Sequence, residues 1–187
     1  MSKAPEVSWY HVDGGNMVKF NAWNIGKINA GDESETQEVY LWNNFNGKDP
    51  TKDAEYLALT TDEDKAKYVL NNTVSDMQDV QITTTSDDES CDVVKDAWIQ
   101  VQCESIGKDS EGEDLAPETD YTPIGGSTSW PLSAQGMDKG CISGKFNSGS
   151  ISADVSNFAK FKLKCVVPPN APAGPRSLWT RIIYYYT

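Results

Sequence analysis

One run of residues constrains the fold more than any other. Between Phe158 and Val167, large apolar side chains alternate with lysines. The apolar positions are Phe161, Leu163, Cys165 and Val167. The intervening positions are Lys160, Lys162 and Lys164. Because successive side chains of a β-strand point to opposite faces of the sheet, this spacing predicts a strand with one buried and one charged face. Such a strand needs a second layer to cover its apolar side.

Similar but shorter runs recur along the chain, separated by turn residues. The predicted strands lie at 7–12, 17–25, 38–42, 80–84, 98–104, 158–167 and 178–187. Short strands at this spacing are typical of a β-sandwich or barrel. The polar stretch 49–72 interrupts the pattern, and Thr61 followed by acidic residues predicts a short helix near 61–70. We therefore predict one all-β domain over 1–187, an antiparallel sandwich with a helical insertion near 49–72.

The last strand is predicted to be an inner strand, because it contains no proline and carries large side chains on both faces. One face holds Leu178, Thr180, Ile182, Tyr184 and Tyr186. The core of a sandwich covers only one face, so the other face would leave an exposed apolar patch, which isolated monomers rarely keep. Aromatic residues and arginine are enriched in interface cores. We therefore predict that a neighbouring subunit docks on Trp179, Arg181, Ile183 and Tyr185.

The charge balance excludes several classes of partner. The chain has 16 Lys and Arg against 28 Asp and Glu, a net charge of −12. This charge argues against binding to nucleic acid or to an anionic membrane, since both need clustered cations. Residues 1–10 hold no apolar stretch typical of a secretory signal, so we expect folding in a reducing cytoplasm. The cysteines are then expected to be free thiols, at Cys91, Cys103, Cys141 and Cys165.

The residue pattern offers little catalytic chemistry. His11 is the single histidine, and the chain has neither a Gly-x-Ser-x-Gly elbow nor a phosphate-binding loop. The alternation of Asp109, Glu111 and Glu113 resembles a calcium loop but lacks its downstream glutamate. We therefore predict no catalytic residues, no metal and no cofactor. Because carboxylates alone can cleave a glycosidic bond, a carboxylate-dependent glycosidase stays open as an alternative.

The chain is rich in tryptophan, with 6 residues of this type. We expect most of them to fill the core or a subunit interface. Trp130 lies between turn-forming residues and is the best candidate for stacking on a sugar ring. A β-sandwich carbohydrate-binding module is therefore a further alternative.

Two blocks of sequence carry a resemblance to a known class of module. The first comprises 23–31, with the sequence WNIGKINAG, and 39–44, with the sequence VYLWNN. The second comprises 158–174, which ends in VPPNAPAG, and 181–186. The first block resembles the opening strands of Ig-like β-sandwich modules, and the second resembles their last hairpin. We expect the two long strands of that hairpin to pair antiparallel, with Cys103 and Cys165 as small core residues.

As a whole, the chain resembles the small Ig-like virion accessory proteins of tailed phages and prophages. The resemblance implies a non-enzymatic structural subunit that decorates a capsid or attaches to a tail or baseplate. It also implies other virion structural proteins as partners, in repeated copies. The expected location is the virion, after assembly in the host cytoplasm.

Overall fold

The computed structural model describes residues 7–46, 69–70, 80–105, 118–131, 142–143, 147–155 and 157–184. In these ranges the chain forms antiparallel β-strands and one short helix, α1 (Asp92–Lys95). The strands are β1 (Val7–Asp13), β2 (Asn16–Lys19), β3 (Gln37–Asn43), β4 (Val69–Leu70), β5 (Val80–Thr85), β6 (Ile99–Ser105), β7 (Thr122–Ile124), β8 (Trp130–Pro131), β9 (Ile142–Ser143), β10 (Phe158–Cys165) and β11 (Trp179–Tyr184).

The strands form a large sheet and smaller ones. The large sheet has the order β2-β1-β3-β10-β6-β7, the second has the order β11-β5-β8, and β4 pairs with β9. Strand β10 lies inside the large sheet, where Phe161 is opposite Val39 on β3 and Cys103 on β6. Phe161, Leu163 and Cys165 are buried, which confirms the alternation that predicted this strand.

The second sheet covers one face of the large sheet. Ile82 of β5 is fully buried and belongs to the same apolar cluster as Leu163 and Val101 of the large sheet. The hydroxyl of Thr84 donates a hydrogen bond to the main-chain oxygen of Ile124, at 3.1 Å, and so ties the two sheets together. This arrangement confirms the predicted all-β sandwich.

The outer face of β10 carries paired lysines. Lys160 contacts Glu38 at 2.8 Å and Glu104 at 2.9 Å, and Lys162 also pairs with Glu104. Burial by itself would raise the pKa of Glu104, but hydrogen bonds from the two lysines hold that pKa below its usual range. Lys164 contacts Glu33 at 2.8 Å. The lysine row is therefore neutralised within the protein.

Buried asparagines fix the end of β3. The Asn147 side chain donates to the main-chain oxygen of Asn44 at 2.7 Å and accepts from the N–H of Asn46 at 2.8 Å. Asn44 and Asn46 both have φ of 54°, a left-handed conformation that asparagine tolerates better than most residues. The asparagines after Trp42 therefore have a structural role.

Three expectations about strands are wrong. The predicted strand 17–25 ends at Lys19, because beyond Phe20, whose N–H donates to the oxygen of Trp9, the chain leaves the neighbouring strand. The predicted hairpin of the last two long strands does not form, since β11 pairs with β5 in the other sheet. The segment 166–178 between them is too long for a tight reversal, and its four prolines leave it poor in N–H donors. Strand β11 is consequently an edge strand and not an inner one.

The helix prediction also needs correction. The described helix, α1, begins directly after Cys91 and therefore lies outside the predicted insertion near 49–72. Residues 61–68 lie outside the described residues, and 69–70 form β4, so the predicted helix does not extend to Leu70. Cys91, Cys103 and Cys165 are free and buried, as expected for core thiols, whereas Cys141 lies outside the described residues.

Candidate functional site

An open groove of about 1220 Å³ lies between the two sheets. Its floor consists of buried residues of the large sheet and of Trp98, which directly precedes β6. The floor residues of the sheet are Trp9, Ile99, Leu163 and Cys165. Strand β11 and the segments 19–30 and 171–178 supply the rest of the lining. The indole nitrogens of Trp9 and Trp98 are buried and donate to no acceptor among the described residues, so these rings present carbon to the groove.

Strand β11 and the residue before it border this groove through Leu178, Trp179, Thr180 and Ile182, whereas Arg181 and Ile183 are not part of its lining. Leu178 and Ile182 pack partly against the core, which places Thr180 on the same inner face by alternation. Thr180 nevertheless remains exposed, because the groove is open beside it. The inner face of an edge strand is thus only partly covered.

The outer face of β11 holds most of the predicted docking residues. Trp179 is 49% exposed and also reaches the edge of the groove, Arg181 is exposed and Ile183 is half-buried. Tyr185, the fourth predicted member, lies outside the described residues. Their cross-strand neighbours on β5 include Thr85 opposite Trp179. The structure therefore brings together three of the four residues on one accessible face.

The charged residues that line the groove are all cationic. Lys19, Lys27 and Arg176 line it, and none of the described lining residues is acidic. Arg176 is paired with Asp92, at 2.8 Å between a guanidinium nitrogen and a carboxylate oxygen, and this hydrogen bond holds the pKa of Asp92 below its usual range. Lys19 and Lys27 are exposed, and neither takes part in an ion pair among the described residues. These two lysines differ in this respect from the paired lysine row of β10.

The remaining sequence candidates do not converge on a site. His11 lies on β1 opposite Val18, and its ring centre is 5.1 Å from that of Phe20. Trp130 lies in strand β8, paired with Ile82, and not in a loop as we expected. Its side chain is outside the described part, so sugar stacking on Trp130 stays a prediction. The acidic run 109–113 is likewise outside the described residues.

The sequence did not predict the groove, because the segment that forms its rim, 20–28, has the apolar content of a β-strand. Phe20, Trp23, Ile25 and Ile28 pack partly against the core, and their apolar character predicts pairing in a sheet. The useful counter-evidence is at Gly26, whose φ of +76° is incompatible with a regular strand. A turn-forming asparagine two residues before it, Asn24, accepts a hydrogen bond from the Gly26 N–H at 3.1 Å.

The described residues include no group of three or more His, Cys, Asp and Glu side chains that could hold a metal ion. No helix in the same ranges is long and apolar enough to span a membrane. Comparison of the chain with protein-family models, curated proteins and solved structures finds no match in any of the three.

Proposed function

We propose that this chain is a non-enzymatic structural subunit of a phage or phage-derived particle, attached to the capsid, the tail or the baseplate. The observation that carries the proposal is the exposed outer face of β11, where Trp179 stands beside Arg181 and Ile183. The expected partners are other virion structural proteins that present the complementary surface in repeated copies. The resemblance of the sequence blocks to Ig-like virion accessory proteins supports the proposed particle, and the exposure of Trp179 and Arg181 supports docking through β11.

The composition of this face supports a role in protein–protein contact. Tryptophan and arginine are the residue types that most often dominate binding energy at an interface. Here Trp179 and Arg181 are two residues apart, which puts them on the same side of an edge strand. An edge strand also gives a partner access from the side, which a strand inside a sheet does not.

The described side chains also favour a structural role over catalysis. Cys103 is fully buried, and burial followed by the nearby Glu118 charge raises the pKa of its thiol. A thiol in this state is a poor nucleophile, because only the thiolate attacks. The acidic side chains Glu33, Glu38 and Glu104 are engaged with lysines of β10 in a structural network.

Photocrosslinking tests the proposal at residue level. A photoreactive aromatic amino acid replaces Trp179 in one variant and Val18 in a matched control, because Val18 is 41% exposed but lies on β2, in the other sheet. In particles that carry each variant, position 179 is expected to crosslink to another virion protein, and position 18 is not. Crosslinks only within the chain itself, or equal crosslinking from the two positions, would contradict docking through β11.

A further inference from the structure

We propose that the groove binds an extended, acidic segment of a partner protein, which adds as a strand to the free edge of β11. The segment would carry apolar side chains at alternate positions and carboxylates near its ends. This inference goes beyond the proposed function, because it concerns the inner face of β11 and does not depend on the kind of particle.

Among the described residues, β11 has a strand partner along only one of its edges. β11 pairs with β5 along one edge and ends the second sheet, so no described strand pairs along its other edge. The groove borders β11, and across it the segment 20–28 has no strand pairing either. An edge strand presents main-chain N–H and C=O groups that an extended peptide can pair with, which is the basis of β-strand addition.

The side chains of the groove suit such a peptide. In an added strand every second side chain points the same way, so one set would lie over Thr180 and the apolar floor. Leu178 and Ile182 of the inner face are only partly buried, and further burial of their apolar surface would favour binding. The volume of about 1220 Å³ exceeds the roughly 300–1,000 Å³ typical of small-molecule pockets and fits a longer occupant.

The charge of the groove lining indicates that the bound segment is acidic. The chain has a net charge of −12, yet the described lining of this groove carries cations and no acidic residue. Lys19 and Lys27 have no carboxylate partner in the described ranges, whereas the β10 lysines have theirs. Carboxylates of a partner would complement these two lysines, which have no counter-charge among the described residues. A second copy of the chain is disfavoured, because two bodies of high like charge repel each other.

Selection from a display library of random peptides against the immobilised full chain tests this inference. Sequences that alternate apolar residues and carry Asp or Glu at the ends are expected to be enriched. One enriched peptide is then synthesised and titrated against the full chain and its variants. Thr180→Glu, which places a carboxylate on the inner face, is expected to weaken binding by at least about tenfold. Lys19→Ala combined with Lys27→Ala is expected to weaken it severalfold, less so at high salt.

Arg181→Glu is the matched control, because Arg181 lies next to Thr180 but on the outer face, outside the groove lining. This control changes the net charge by more than Thr180→Glu does, so long-range repulsion would affect it more. It is expected to leave peptide affinity within about twofold. It also separates the two proposals, since Arg181 belongs to the outer docking face.

Three results would overturn the inference. The first is a selection that enriches basic peptides or no alternating pattern. The second is equal loss of affinity in Thr180→Glu and Arg181→Glu, which would show that general charge and not the groove governs binding. The third is a concentration-dependent dimer that Thr180→Glu dissociates, which would identify a second copy as the occupant.

Discussion

Replacement of Trp179 by alanine is expected to weaken assembly even at temperatures where the isolated variant is still folded. About half of the side chain is exposed, 49%. A tryptophan buries roughly 200 Å² when fully covered, so docking would bury about 100 Å² more. At about 25 cal/mol per Å², this area corresponds to about 2.5 kcal/mol, or roughly a 60-fold loss of affinity.

The same substitution also removes contacts within the chain, so folding and assembly must be measured separately. The half of the ring that is already covered contributes at most about 2.5 kcal/mol to stability, and less for a compact unfolded state. Ile82→Val is the matched control, because Ile82 is fully buried in the core and its truncation costs about 1 kcal/mol without altering the surface.

The assay is competition between isotope-labelled wild type and each variant for incorporation into particles, with thermal unfolding of the isolated proteins alongside. Trp179→Ala is expected to be nearly excluded from particles at a temperature where it is folded, whereas Ile82→Val incorporates like the wild type. Equal incorporation of the two variants would refute the assignment of Trp179 to a docking surface.

Further predictions concern the sandwich itself. Gly125→Ala, at φ +135°, would place a Cβ 2.5 Å from a main-chain oxygen of α1, so we expect the free energy of unfolding to fall by roughly 2–4 kcal/mol. Gly26→Ala is the control, because Gly26 has φ +76° but open space around it, and we expect a loss of about 1–2 kcal/mol. Equal losses in denaturant unfolding would contradict the clash. Glu104 has a lowered pKa in the folded state. Its contribution to the free energy of unfolding is therefore present above its pKa in the unfolded chain, about 4.3, and is lost as the pH falls below that value. Glu104→Gln should therefore cost about 1 kcal/mol at pH 7 and progressively less as the pH is lowered below the unfolded value, and a cost independent of pH would argue against the ion pairs. Cys103 and Cys165 should react with a thiol reagent only after denaturant is added, because both are buried and burial raises their pKa; fast labelling of the native protein would show that the core opens.

Local patterns predicted the strands that are well covered by neighbours. The alternation in β10 is decisive because β10 lies inside the large sheet, with one face in the core and the other in a lysine–glutamate network. The alternation at 178–187 was less informative, since large residues on both faces fit an inner strand as well as an edge strand with an interface. Its place at the edge depends on which strand it pairs with, and pairing between distant strands leaves no mark in the local sequence.

The groove was beyond prediction for a related reason. Its floor and rim come from β1, α1 and its flank, β10 and β11, which are far apart in sequence. The segment 20–28 has the apolar content of a strand but lacks a partner that would make it one. The absence of acidic residues from the described lining is a property of the folded surface, and the overall charge of −12 conceals it.

The central claim is that this chain is a structural subunit of a phage or phage-derived particle. Quantitative mass spectrometry of phage-like particles purified from cells that carry the gene tests it most directly. The account predicts that the chain copurifies with the particles through density-gradient separation, at a fixed copy ratio to the capsid or tail proteins that is the same in every preparation. Recovery of the chain only in the soluble fraction of the lysate, with none in the particles, would contradict the account.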